Sequence, residues 1–134
     1  MTVKNNSKAK RIERLDHELP AVIKLGWRYH HLGIPTDIPQ EDETYLAKYG
    51  MYVSGFESSP FGIEWIRFEE DSPVSAVVKN VPHIAFEVND LDKAIKGREL
   101  IGGEISSPSD GVRVAMFIDN GAPVELIELK NKIE

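Results

Sequence analysis

The stretch Val81-Pro82-His83-Ile84-Ala85-Phe86-Glu87-Val88-Asn89-Asp90-Leu91 decides the reading of this chain. Its first eight residues are strand-like, and Asp90 stands where a helix N-cap belongs. A fainter copy lies upstream. Set against Pro82-His83-Ile84-Ala85-Phe86, the stretch His30-His31-Leu32-Gly33-Ile34 places His31 on His83, Leu32 on Ile84, Gly33 on Ala85 and Ile34 on Phe86. Further on, Ile63-Glu64-Trp65-Ile66-Arg67-Phe68 aligns with Val124-Glu125-Leu126-Ile127-Glu128-Leu129, and Glu64 falls on Glu125. Each half of the chain therefore carries a strand with a His and a later strand with a Glu. The spacing is 64 − 31 = 33 residues in the first half and 125 − 83 = 42 in the second. The first half is nine residues shorter, room enough for about one strand and its turn to be missing or reduced.

Working outward, Trp27 to Ile34, Met51 to Phe56, Ile63 to Phe68, Val81 to Val88, Glu104 to Ser106, Val112 to Ile118 and Pro123 to Leu129 read as strands. Asp119-Asn120-Gly121 reads as a tight turn. Two helices are expected. One runs from Glu41 to Tyr49 and closes at Gly50; the other is capped by Asp90 and runs to about Leu100, weakened by Gly97 and ended by Gly102-Gly103. Residues 1–26 read as an appendage, with Ile12, Leu15, Leu19, Val22 and Ile23 at helical steps and Pro20 breaking the run. Residues 27–134 form the domain, in two modules at 27–70 and 81–130.

Side chains alternate across a strand, so His83 shares a face with Ala85 and Glu87, opposite Ile84, Phe86 and Val88. Glu64 shares its face with Ile66 and Phe68, and Glu125 with Ile127 and Leu129. A carboxylate on an apolar face is costly without a partner. Two at equivalent places in a repeat need a common explanation, and a divalent metal supplies it. Two imidazoles and two carboxylates, His31, Glu64, His83 and Glu125, suit Ni, Zn, Co, Mn or Fe(II). Taken one at a time these residues have plainer readings. A strand His is ordinarily a satisfied core or surface residue, and a Glu in Val-Glu-Leu-Ile-Glu-Leu ordinarily faces solvent, with Glu128 as its edge-strand twin. His30 points to the other strand face and aligns with Pro82, so it is left out of the set; His17 has no repeat mate.

On Tyr29-His30-His31-Leu32-Gly33-Ile34, on residues 81–91 and on Asn120-Gly121-Ala122-Pro123-Val124-Glu125-Leu126, the sequence resembles the vicinal oxygen chelate superfamily over residues 27–130. That superfamily includes glyoxalase I, methylmalonyl-CoA epimerase, extradiol dioxygenases and bleomycin- or fosfomycin-resistance proteins. The resemblance implies an α+β fold of paired βαβββ modules, curled into a mixed sheet around a metal cleft, here with the first module shortened. It maps metal ligands onto His31, Glu64, His83 and Glu125, all of which carry residues able to bind metal. It also implies a metal-dependent lyase or isomerase, with Glu125 or Glu64 as the base that moves a proton next to a carbonyl. The short first module departs from the pattern, and Glu64 stands where epimerases usually carry Gln. Alternatives of the same fold are an epimerase-like enzyme and a non-catalytic small-molecule binder.

Arg67 and Arg113 are candidates to clamp a substrate carboxylate or phosphate. The chain has 134 residues, with 16 Lys plus Arg against 22 Asp plus Glu, a net charge of −6. That balance argues against nucleic acid. Cysteine is absent, which excludes disulfides and thiol chemistry. No apolar run reaches the ~18 residues of a membrane span. The expectation is a cytoplasmic protein acting on a small-molecule substrate, as a homodimer.

Overall fold

The computed structural model describes residues 17–130. Eight strands form one mixed sheet: β1 (Arg28–Pro35), β2 (Thr44–Leu46), β3 (Met51–Ser54), β4 (Ile63–Phe68), β5 (His83–Glu87), β6 (Ser106–Ser109), β7 (Val112–Asp119) and β8 (Ala122–Leu129). Their order is β2-β3-β4-β1-β5-β8-β7-β6, so β1 and β5 lie side by side at the centre and each module fans outward from them. β1 pairs parallel with β4 and β5 parallel with β8, while the central β1–β5 pair is antiparallel. The sheet curls into a half-barrel, the paired-module α+β fold that the resemblance implies.

The central register shows how closely the halves correspond. Leu32 pairs with Ile84, flanked by His31 opposite Ala85 and Gly33 opposite His83. An approximate two-fold axis therefore passes between Leu32 and Ile84. The parallel pairs repeat the symmetry, with Gly33 beside Glu64 and Ala85 beside Glu125.

Among the described residues three short helices accompany the sheet: α1 (Pro20–Leu25), α2 (Ala76–Asn80) and α3 (Leu91–Ala94). Pro20 opens the short helix α1, where a first-turn residue needs no N–H partner. The rest of the appendage, residues 1–16, lies outside the described residues, as do Ile12 and Leu15 of its helical pattern. Asp90 caps α3 as expected, its side chain accepting a hydrogen bond from the Lys93 backbone N–H. However, α3 is one turn long rather than reaching Leu100; Gly97 adopts φ +79°, a left-handed conformation that a helix interior cannot hold. At the β7–β8 turn, Asn120 and Gly121 both have positive φ, as the tight turn requires.

The first module departs most from its reading. Residues 44–49, expected inside the Glu41–Tyr49 helix, form strand β2 and then a 3-10 turn at Ala47–Tyr49. Thr44 and Tyr45 are strand formers, and pairing of Thr44 with Val53 and Leu46 with Met51 overrides a helical pattern that is only local. All four strands of the module are thus present, β2 being very short. What the nine missing residues remove is a helix between β1 and β2. In the second module α3 fills that place. Its Leu91, fully buried, packs with Trp27, Phe86, Val88, Phe117, Val124 and Leu126 to form the core on the sheet's outer face. On the first module's outer face Tyr45 and Trp65 remain part-exposed. Among the described residues no helix is long and apolar enough to cross a membrane.

Candidate metal centre

The curl of the sheet leaves a cavity of about 820 Å³ on its inner face. Inward positions of all eight strands contribute, among them Leu46, Val53, Ile66, Phe68, Val114 and Met116. His31, Glu64, His83 and Glu125 also line this cavity, so the residues that the repeat aligned meet in one place.

They meet because of the register. One row across the sheet runs His31–Ala85–Glu125, and the next runs Glu64–Gly33–His83. In each row the central residue is small, so the long side chains on either side fold over it towards a common point. Gly33 is the extreme case. A Cβ at this position would sit 2.1 Å from His83 Cε1, 2.6 Å from Nδ1 and 2.6 Å from Nε2. The imidazole of His83 occupies the space that any other residue at 33 would fill.

At the point of convergence, His31 Nε2 lies 3.2 Å from His83 Nε2 and 3.2 Å from Glu125 Oε1. His83 Nε2 lies 3.0 Å from the same Glu125 oxygen. Ligand bonds of about 2.0–2.1 Å in tetrahedral to octahedral arrangement set neighbouring donors about 2.9–3.4 Å apart, so these three atoms stand at metal-ligand separations. The donor chemistry and the cradle at Gly33 both fit a divalent cation. Glu64 stands slightly back, its Oε1 3.5 Å from His31 Nε2. His31, His83 and Glu125 therefore form the tight group, and Glu64 is the looser fourth member.

The charges respond to this crowding. Burial alone would raise the Glu125 carboxyl, but hydrogen bonds from His31 and His83 outweigh it and hold it down at about 2. Burial disfavours the His31 cation, yet the Glu125 hydrogen bond and the charges of Glu125 and Glu64 win, and His31 is raised above 6.5. Glu64 is raised above 4.5 by burial, with the Glu125 charge adding to it against the pull of the two imidazoles. One carboxylate is thus firmly ionised and the other is made more basic.

The two arginines are placed elsewhere. Neither Arg67 nor Arg113 lines the cavity. Arg67 donates two hydrogen bonds to Glu43, at 2.9 and 2.8 Å, with its guanidinium 4.1 Å above the Tyr52 ring. Arg113 binds Asp92 at 2.9 Å and Glu128 at 3.0 Å. Residues 67 and 113 fall on the outward alternation of β4 and β7, opposite to Ile66, Phe68, Val114 and Met116. Glu128 is not a solvated twin of Glu125. β8 lies inside the sheet, and Glu128 is buried on the outer face, where it accepts the Leu91 backbone N–H at 2.9 Å and so caps α3.

His30 departs from its sequence reading as well. Strict alternation would send it to the opposite face from His31. Instead the β1–β5 register slips between Tyr29 and His31, and His30 Nδ1 lies 2.8 Å from His31 Nδ1. The doublet His30-His31 was the available signal, but no pattern in the sequence marks the bulge.

No family model matches the chain, and no curated protein matches it. Solved structures do. A hypothetical protein from Bacillus halodurans C-125 superposes with a TM-score of 0.62 at 20% identity, covering 81% of this chain and 98% of its own. Methylmalonyl-CoA epimerase from Mycobacterium tuberculosis superposes with a TM-score of 0.54 at 18% identity, covering 76% of this chain and 87% of its own. The chain has the vicinal oxygen chelate fold.

Proposed function

We propose that this chain is a metal-dependent lyase or isomerase of glyoxalase type, acting on a small carbonyl or thioester substrate that presents two neighbouring oxygens. The observation that carries the reading is the convergence of His31 Nε2, His83 Nε2 and Glu125 Oε1 within 3.2 Å of one another, with Glu64 beside them. His31, His83 and Glu125 would hold a divalent cation, which would supply Lewis-acid stabilisation of the oxyanion that develops on a carbonyl oxygen. Glu125, whose carboxyl is held ionised, would balance that charge.

Glu64 is the better placed of the two carboxylates to act as base. It stands back from the tight group, and its raised pKa strengthens it as a proton acceptor. In the step proposed, the C–H bond next to the substrate carbonyl breaks. Its proton passes to a Glu64 oxygen and its electron pair moves into the carbonyl as an enolate. Return of the proton to the same or the neighbouring carbon completes an isomerisation.

The cavity wall narrows the substrate. Leu46, Val53, Ile66, Phe68, Val114 and Met116 offer apolar surface, and Lys48 is the one Lys or Arg among the described residues that line it. The cavity therefore favours an apolar group on the substrate over a polyanionic one. A thioester epimerase remains the second reading, favoured by the superposition on methylmalonyl-CoA epimerase. Metal analysis of untagged protein, followed by a screen of hemithioacetal and CoA-ester substrates, tests both. We expect a stoichiometric transition metal that is lost on His83→Ala. Tight metabolite binding that is indifferent to chelator would instead make the protein a non-catalytic binder.

A further inference from the structure

We propose that His30 is a positioning residue: its Nδ1 accepts the Nδ1 proton of His31 and thereby commits the His31 Nε2 lone pair to the metal position. The inference rests on the metal reading of the site, but its own geometry stands apart from it.

Three observations point to this role. First, the two Nδ1 atoms are 2.8 Å apart, a contact that requires one proton between them. If His31 supplies that proton, a neutral His31 has a bare Nε2, facing His83 Nε2 and Glu125 Oε1. If His30 supplied it, the proton of a neutral His31 would sit on Nε2 and bar a cation. Second, His30 is held in place. Its ring stacks on Phe56, with centroids 4.9 Å apart and planes 13° apart, and Phe56 also meets the His31 ring edge-on at 5.9 Å. Third, the backbone is shaped for the contact. Tyr29 pairs with Phe86 and His31 with Ala85, so His30 is the extra residue of a β-bulge. Bulges of this kind re-aim a side chain, and here the bulge brings a residue that should face away to the ring nitrogen of its neighbour.

The second module has no counterpart. Pro82 aligns with His30, and the buried His83 Nδ1 has no hydrogen-bond partner among the described residues. His83 is oriented by its packing on Gly33 instead. The two histidine ligands are thus fixed by different means, His31 by a hydrogen bond and His83 by shape.

The test uses two substitutions in the full chain. His30→Phe keeps an aromatic ring against Phe56 and removes the acceptor. His30→Asn places an amide oxygen close to where Nδ1 stood. Loss of a hydrogen-bond partner behind a metal ligand typically weakens metal binding on the order of 10–100-fold. We expect that loss for His30→Phe in chelator competition with Zn2+ or Co2+, and recovery to near the parent value for His30→Asn. Both variants should melt near the parent temperature. Metal affinity unchanged in His30→Phe overturns the proposal. So does loss in His30→Asn equal to that in His30→Phe. A second readout needs no metal: 15N spectra of the metal-free chain should show a His31 Nδ1 proton hydrogen-bonded to His30 Nδ1. Its absence overturns the proposal. If the parent chain binds neither metal, the functional reading fails, while these spectra still decide the role of His30.

Discussion

The His83 imidazole packs directly on Gly33, so closely that a methyl group at residue 33 would lie 2.1 Å from His83 Cε1. Gly33→Ala therefore forces a proposed ligand, not a flexible surface group, to move. We expect metal affinity to fall on the order of 10–100-fold, as for other disturbances behind a ligand. The fold should survive, because Gly33 sits at neither a turn nor a positive φ. Chelator competition and a thermal melt on the same sample separate the two effects. Unchanged affinity would mean that His83 is not a ligand.

The two carboxylates should separate by substitution. Glu125→Gln removes the charge that both imidazoles face at 3.0 and 3.2 Å, and is expected to abolish stoichiometric metal binding. Glu64→Gln should leave most of the metal in place and lower kcat on the order of 10²–10⁴-fold, the usual size of a lost general base. Metal content by elemental analysis, beside turnover of the best substrate from the screen, gives the pair of readings. Equal metal loss in both variants would make Glu64 a full ligand rather than the base.

Stability of the metal-free chain should depend on pH through the same cluster. Glu125 is held at about 2, below its ordinary 4.5, so its contribution is complete above pH 4.5 and is lost as pH falls towards 2. His31 is raised above 6.5, so its contribution is complete below pH 6.5 and is lost as pH rises through its elevated value. Glu64 is raised above 4.5, so its ionisation costs stability as pH rises from 4.5 through its elevated value and draws the maximum towards the acid end. Together these give a maximum between about pH 4.5 and 6.5. Added metal, which needs deprotonated ligands, should stabilise increasingly as pH rises. Melting temperatures across pH 4–9, with and without Zn2+, check the sign; metal-free stability that climbs steadily to pH 8 would contradict it.

Arg113→Met tests whether that arginine serves the fold or the substrate. It binds Glu128, whose side chain is only 8% exposed. Removing it leaves a buried carboxylate short of a partner, a loss of about 1–3 kcal/mol. We expect a lower melting temperature and an unchanged KM. A raised KM with an unchanged melt would return Arg113 to the substrate.

The four proposed cleft residues were legible because the repeat aligned them, His31 with His83 and Glu64 with Glu125, independently of any helix assignment. The strands were legible for the same reason, since period-two patterns survive wherever one face is buried. Residues 44–49 were not. Their local pattern suits a helix, and only pairing with β3, a long-range event, makes Thr44–Leu46 a strand. The length of α3 is not legible in the sequence either, because a glycine at 97 signals a weak helix without saying that its φ is positive. His30 was hidden by the bulge, which breaks the alternation used to set it aside. The arginines were hidden because a strand pattern gives the face but not the ion-pair partners that Glu43, Asp92 and Glu128 provide.

The unlike floors of the two rows, glycine in one and alanine in the other, mean that the halves are no longer interchangeable parts. A chimera joining two copies of the second half would carry a methyl under both imidazoles, and the close seat that His83 now takes would vanish. One joining two first halves would lose the insulation that α3 lends the outer surface. Each half supplies what its counterpart lacks, one the room and the other the cover, so shuffling them should fail even though every ligand would be retained.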